Sequence, residues 1–263
     1  MNFNKNTLPS KIKMAKPYLS VIIPAYNEAE RITNTLFDID KYLSQTDYSY
    51  EVIVVNDASK DNTANVVNKL CSVIKNLRLI DNTENKGKGG VVRQGMLEAK
   101  GNIRLFMDAD NSTKIEDFAK LQPYFKDGFK VVIGSRAISG SSVELHQPFL
   151  RRVLGKLGNL FIRIMAVSGI NDTQCGFKAL TEDAAERIFS RLTIFRWGFD
   201  VEVLAIARLL GYRIKEVGIT WVNDTRSTVS ASGYLHVLLE VVKIRFNLWR
   251  KVYKRESDNY VNQ

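Results

Sequence analysis

The sequence predicts a doubly wound α/β domain, and three observations carry that prediction. Short runs rich in Val and Ile alternate with amphipathic helical segments from residue 19 to residue 133. Each run is almost continuously apolar, as strands of a parallel sheet covered on both faces must be. The polar loops after four of these runs collect carboxylates or an arginine, and such sheets bind ligands beyond the carboxyl ends of their strands.

The elements follow in order. Leu19–Pro24 is β-branched and too short for a helix. Glu28 to Leu43 repeats Ile32, Leu36, Ile39 and Leu43 at helical spacing. Glu51–Val55 reads as a strand, Asp61–Ile74 as a helix, Leu77–Ile80 as a strand and Gly89–Ala99 as a helix. Asn102–Met107 is the fourth strand, Ile115–Phe125 the next helix and Lys130–Ile133 the fifth strand. In the second half, Pro148–Val167, Thr181–Phe189 and Phe199–Leu210 have helical spacing, and Tyr212–Val222 is strand material. Ser232–Tyr253 is a long last helix carrying Leu235, Leu238, Leu239, Val242, Phe246 and Trp249. The expected division is a basic tail over 1–17, the main domain over 18–230, and an amphipathic helix with its tail over 231–263, in contact with a membrane surface.

Composition bounds the function. The 263 residues are 45% hydrophobic and 25% charged, the balance of a globular protein. Two cysteines, Cys71 and Cys175, make no disulfide scaffold. Residues 1–17 lack the apolar core of a signal peptide. The longest uncharged run, Ser227–Leu239, is 13 residues, short of the roughly 20 a spanning helix needs. A reduced, soluble or peripheral intracellular protein is therefore expected.

The net charge of +10 is concentrated: residues 1–17 carry +4, 148–170 carry +4 and 236–255 carry +5, leaving −3 elsewhere. Nucleic acid, anionic lipid and phosphorylated substrates all attract such a protein. Acidic strand ends would repel a nucleic-acid backbone and no recognition motif is present, which argues against nucleic acid. Pro148–Val167 and Ser232–Tyr253 each pair an apolar face with Lys and Arg, suiting either an interfacial helix or ordinary packing with solvated cations.

Four loops bear on chemistry: Pro24-Ala-Tyr-Asn-Glu28, Asn56-Asp-Ala-Ser59, Asp108-Ala-Asp110 and Gly134-Ser-Arg136. Asp108 and Asp110 close a strand, where two carboxylates can share a hard divalent cation with substrate phosphates. An Asp pair there also serves as a strand end and helix cap. Lys86-Gly-Lys-Gly-Gly90 opens a helix with glycines that let backbone N–H groups approach an anion; a flexible turn with solvated lysines has the same sequence. His146 and His236 fit no metal spacing, and Cys175 reads as a packed thiol.

These motifs together resemble those of the family 2 glycosyltransferases of the GT-A fold, within them the dolichyl-phosphate glucosyl- and mannosyltransferase branch. Val21-Ile-Ile-Pro-Ala-Tyr-Asn-Glu28, Val54-Val-Asn-Asp57-Ala-Ser, Asn85-Lys-Gly-Lys-Gly89 and Asp108-Ala-Asp110 carry the general likeness. Gly134-Ser-Arg136-Ala, Asp172-Thr-Gln-Cys-Gly-Phe-Lys178 and Arg196-Trp-Gly-Phe-Asp-Val-Glu202 resemble the glucosyl-phosphate-polyprenol enzymes in particular. The resemblance implies that Pro24, Ala25, Tyr26, Glu28 and Asp57 hold the uridine, Lys86 or Lys88 the nucleotide end, and Asp108 the sugar-nucleotide. It implies that Asp110, with Asp108, binds Mg2+ or Mn2+ on the diphosphate. Arg136, Arg151 or Arg152, and Lys178 would face the acceptor phosphate, and Asp110, Arg136, Asp172 and Lys178 are the implied catalytic set. The implied partners are UDP-glucose, a polyprenyl or dolichyl phosphate and a membrane surface; GDP-mannose with the same acceptor, or a glycan acceptor, is the alternative. Asn56 stands where the family has a second Asp, and Ser112 where the mannosyl enzymes have Gln. The glucosyl enzymes of eukaryotes carry an N-terminal membrane anchor, which the resemblance does not find in residues 1–17.

Overall fold

The structure is a computed structural model that describes residues 16–144, 158–222 and 231–255. Its first half alternates β1 (Leu19–Ala25), α1 (Ile32–Leu43), β2 (Tyr50–Asp57), α2 (Thr63–Cys71), β3 (Leu77–Asn82), α3 (Lys88–Glu98), β4 (Ile103–Met107), α4 (Phe118–Lys126) and β5 (Val131–Ser135). All nine elements are where the hydrophobic periodicity puts them. Their starts differ: α1 begins four residues after Glu28 because Glu28 and Ala29 give their backbone N–H groups to Thr63 Oγ1 and Asp61 Oδ2, 2.8 and 3.1 Å away.

The second half comprises β6 (Ser142–Glu144), a helix α5 described over 158–165, β7 (Phe177–Thr181), α6 (Glu182–Phe189), α7 (Phe199–Leu209), β8 (Ile214–Gly218), β9 (Thr220–Val222) and α8 (Ala231–Trp249). Residues 148–157 of the expected helix lie outside the described residues. The Tyr212–Val222 run is two strands rather than one, because β8 joins the main sheet beside β5 while β9 pairs with β6 in a separate ribbon.

The main sheet has the order β3-β2-β1-β4-β7-β5-β8. β1, β2, β3 and β4 pair in parallel, as do β5 and β8. β7 is the exception: it runs antiparallel between β4 and β5. Two antiparallel steps leave β5 parallel to β4, so the ends of β1, β2, β4 and β5 share one edge. The start of β7 is at that edge too, which delivers Asp172–Lys178 to the loops selected from sequence.

Alternate strand residues feed two cores. Ile22, Ile53, Val55, Phe106 and Ile133 pack under α3, α6, α7 and α8. Val21, Ile23, Val52, Val54 and Met107 pack under α1, α2 and α4. Phe106 contacts Phe189 and Phe199 with ring centroids 6.3 and 5.7 Å apart. Fully burying one such ring stabilises the fold by about 1.5–3 kcal/mol.

The last helix has two apolar faces. Val237, Val241 and Ile244 are buried in the core, whereas Leu235, Leu239, Val242, Phe246 and Trp249 are exposed, Trp249 by 77%. The helix ends before Tyr253: Lys251 takes φ 58°, and the chain turns back to bury Tyr253. Among the described residues no helix is long and apolar enough to cross a membrane.

Candidate active site

Three of the loops beyond the strands hold a non-glycine residue at positive φ: Asn27 at 57°, Ala58 at 55° and Asn111 at 56°. Such backbone is unfavourable for an L-residue and persists where surrounding contacts over-determine it. Asn27 and Ser59 supply those contacts: Asn27 N donates to Ser59 Oγ at 2.9 Å, and Lys60 N to Asn27 Oδ1 at 2.8 Å.

A small, partly enclosed cleft sits at the strand ends of β4 and β5, lined by Asp108, Ser112, Thr113, Arg136, Gln174, Cys175, Gly176 and Trp221. Arg136 makes a two-pronged contact with Asp172, Nε to Oδ2 at 2.7 Å and Nη2 to Oδ1 at 2.9 Å, and its backbone N also donates to Oδ2. The Trp221 ring lies 5.3 Å from the guanidinium. Burial pushes the Asp172 carboxyl up, but the charge and hydrogen bonds of Arg136 outweigh this and hold it below the usual range. The same pairing more than offsets the burial of Arg136 and raises its pKa. Arg136 is therefore a fixed cation at the cleft.

Asp108 is beside it. Lys88 Nζ lies 2.6 Å from Asp108 Oδ1, yet that oxygen is buried without an aligned hydrogen-bond donor. The contact is one of charge, and Asp108 retains unused acceptor capacity. Asp110 accepts Ser112 N at 2.9 Å through Oδ1. Among the described residues no group of three His, Cys, Asp or Glu forms a metal cage. Two carboxylates on one rim, one with an under-used oxygen, fit a hard cation completed by phosphate oxygens and water. Burial pulls Lys88 down, but Asp108, Asp200 and Asp110 outweigh it and raise its pKa.

Gly176 closes the floor. A Cβ there would stand 2.2 Å from Asp108 Oδ2, so only glycine lets the chain pass. Below it Lys178 is 0% exposed; its ammonium donates to the Cys175 carbonyl at 2.6 Å and pairs with Asp200 on α7. Burial pushes the Asp200 carboxyl up, with Lys178 and then Lys88 drawing it partly back.

The implied residues are thus sorted by geometry. Asp108 and Arg136 line the cleft, with Asp172 behind Arg136 and Asp110 on the same loop as Asp108. Lys178, expected at the acceptor phosphate, is buried under the cleft and bonded to Cys175 and Asp200. Asp57 does not present a free carboxylate for uridine: it is 3% exposed and accepts Lys86 N at 2.6 Å, Gly87 N at 3.0 Å and Asn85 Nδ2 at 3.0 Å. It shapes the glycine loop from beneath. Of the two lysines, Lys88 faces Asp108, while Lys86 turns to Asn82 and Gln94 at 2.6 and 2.9 Å. Pro24 and Ala25 are buried in β1, leaving Tyr26 exposed at the rim, and Glu28 is paired with Arg31. Arg151 and Arg152 lie outside the described residues.

Asp200, Gln174, Gly176 and Trp221 carry structural weight that the sequence reading did not give them. For Asp200 a signal existed: Asp200 and Glu202 stand in a helix buried from Phe199 to Ala207, and a carboxylate buried there requires a partner.

The sequence matches the family model described as glycosyl transferase family 2 over residues 20–189. The chain belongs to glycosyl transferase family 2. This family 2 transferase is 37% identical to a dolichyl-phosphate beta-glucosyltransferase of Trichomonas vaginalis, over 94% of this chain and 80% of that protein. It is 36% identical to the dolichyl-phosphate beta-glucosyltransferase of Homo sapiens, over 98% and 84% of the two chains. Among solved structures it is similar to the glucosyl-3-phosphoglycerate synthase of Mycobacterium tuberculosis in complex with uridine diphosphate, with TM-score 0.65 and 17% identity over 88% and 81% of the chains. The mannosyl-3-phosphoglycerate synthase of Rubrobacter xylanophilus gives TM-score 0.67 and 16% identity over 91% and 76%. These likenesses establish the GT-A fold expected from the motifs. The Mycobacterium tuberculosis enzyme has also been solved with Mn2+ and UDP.

Proposed function

We propose that this family 2 transferase moves glucose from UDP-glucose to a polyprenyl or dolichyl phosphate at the cytoplasmic face of a membrane. The observation that carries this reading is the 36–37% identity to dolichyl-phosphate beta-glucosyltransferases across nearly the whole chain. The cleft suits the chemistry. Asp108 and Asp110 would hold Mg2+ or Mn2+, which supplies charge neutralisation for the departing diphosphate. Lys88, at the amino end of α3, adds a second positive group on the donor side. The acceptor is a phosphate monoester with a second pKa near 6, already largely ionised, so it needs alignment more than a strong base. Arg136, locked by Asp172 and covered by Trp221, is oriented to draw that anion toward the sugar. Attack of the phosphate oxygen in line with the departing diphosphate forms the new bond with inversion at the sugar carbon.

The exposed Leu235, Leu239, Val242, Phe246 and Trp249 stripe of α8, with Lys243, Arg245, Arg250, Lys251, Lys254 and Arg255 beside it, suits an anionic bilayer surface. The test is a donor panel: protein, Mg2+, a prenyl phosphate, and labelled UDP-glucose, GDP-mannose or UDP-N-acetylglucosamine, with label counted in the organic phase. Transfer from UDP-glucose with a β-linked product is expected. No label from any donor, or an α-linked product, contradicts the reading.

A further inference from the structure

Resting on that reading, we infer that residues 193–198 form a clasp through which α8 holds the donor side of the active site, with Glu202, Glu240 and Trp197 as its positioning residues. Glu202 on α7 is fully buried and is satisfied by neutral donors: Thr193 N at 3.0 Å, Ile194 N at 2.8 Å, Thr193 Oγ1 at 2.5 Å and Tyr253 OH at 2.7 Å. A carboxylate surrounded in this way fixes the groups that donate to it. Tyr253, beyond the end of α8, and Asn247 on α8, whose Nδ2 is 3.1 Å from Thr193 Oγ1, tie the start of the clasp to that helix. Glu240 on α8 ties its end, accepting Gly198 N at 2.7 Å. A Cβ on Gly198 would lie 2.8 Å from Glu240 Cβ, so helix and clasp touch directly.

The middle of the clasp lies on the glycines that open α3. Gly90 N donates to the Phe195 carbonyl at 3.1 Å, and a Cβ on Gly87, which has φ 78°, would stand 2.4 Å from that oxygen. Between these glycines, Lys88 Nζ sits 5.5 Å from the Trp197 ring centroid and 2.6 Å from Asp108 Oδ1. Phe195 and Trp197 are 44% and 43% exposed, more than core packing would leave them. A continuous set of contacts therefore runs from the lipid-facing helix through Glu240, Tyr253 and Glu202 to the clasp, then to Lys88 and Asp108. Seating α8 on a bilayer restrains the clasp and sets Lys88 for the nucleotide diphosphate, so membrane contact tightens donor binding.

The experiment is titration of the full chain with UDP plus Mn2+, with and without vesicles of phosphatidylcholine and phosphatidylserine, for wild type, Glu240→Ala, Glu240→Gln and Trp197→Ala. Vesicles are expected to tighten UDP binding severalfold for wild type. Glu240→Ala floats with vesicles but loses that tightening, and Glu240→Gln, which keeps an acceptor oxygen, restores it. Trp197→Ala raises the UDP Kd and the KM for UDP-glucose by roughly two- to fivefold, with kcat held. A wild-type UDP affinity indifferent to vesicles, or Glu240→Ala tightening as wild type does, overturns the inference. UDP binding needs no acceptor, so glucose transfer without vesicle coupling sinks this inference alone, and coupling without lipid-linked product sinks the proposed reaction alone.

Discussion

Gly176→Ala is the sharpest local perturbation of the cleft. The added Cβ would stand 2.2 Å from Asp108 Oδ2, 2.5 Å from Cγ and 2.6 Å from Oδ1. The neighbours resist on both sides. Lys178 anchors the Cys175 carbonyl and Phe177 is registered against Met107, while Lys88 is 2.6 Å from the Asp108 carboxylate. Relief therefore comes mainly from moving Asp108, by roughly 1 Å if ordinary contact distances are to be restored. A displacement of that size at a reacting centre costs about 100-fold in rate, and the overpacking costs about 1–3 kcal/mol of stability. For a chain of this length that lowers Tm by roughly 2–10 °C. Initial rates of glucose transfer, taken well below the variant's own Tm, separate the two effects. A Gly176→Ala enzyme within twofold of wild type would show that Asp108 is not held in place by Gly176 and Lys88, or that its position does not matter to transfer.

Three further expectations rest on single groups. Lys178→Met leaves the Asp200 carboxylate buried without its cation and is expected to cost about 3–5 kcal/mol in denaturant unfolding; adding Asp200→Asn recovers part of the loss. The Asp172 carboxyl lies below its unfolded value because Arg136 outweighs burial, so its stabilisation is complete above about pH 3.9 and is lost as pH falls through its lower folded pKa. The stability gap between wild type and Asp172→Asn, measured by denaturant titration, therefore narrows from pH 7 to pH 3. Ala58→Gly relieves the strain of φ 55°, about 1–2 kcal/mol, against about 0.4–1 kcal/mol of added unfolded-state entropy, so a small rise in Tm is expected by calorimetry.

The first half of the fold was legible because each β strand and helix there has one period and one function. Val and Ile runs buried on both faces allow no other reading, and the strand-end rule then selected Asp108, Asp110 and Arg136. β7 was not legible. Phe177-Lys-Ala-Leu-Thr181 places a lysine second in a buried strand, which no polarity pattern anticipates, because its partner Asp200 arrives from a helix more than twenty residues later. The surroundings of Asp57 and Lys178 are hidden for the same reason: a sequence shows a charge but not the donors around Asp57 or the acceptors around Lys178. In α8 both faces are apolar, Val237, Val241 and Ile244 on one and Leu235, Leu239, Val242 and Phe246 on the other, and only packing decides which is covered.

If the cleft at the ends of β4 and β5 transfers glucose to a prenyl phosphate, the Asp108–Asp110 rim is indispensable to it. The decisive comparison is wild type against Asp110→Asn for label passing from UDP-glucose into the organic phase in the presence of Mg2+ and a prenyl phosphate. Wild type is expected to give lipid-linked glucose, and the variant, with its fold intact, at least about 100-fold less. An Asp110→Asn enzyme that transfers glucose as fast as wild type would exclude Asp110 from the reaction.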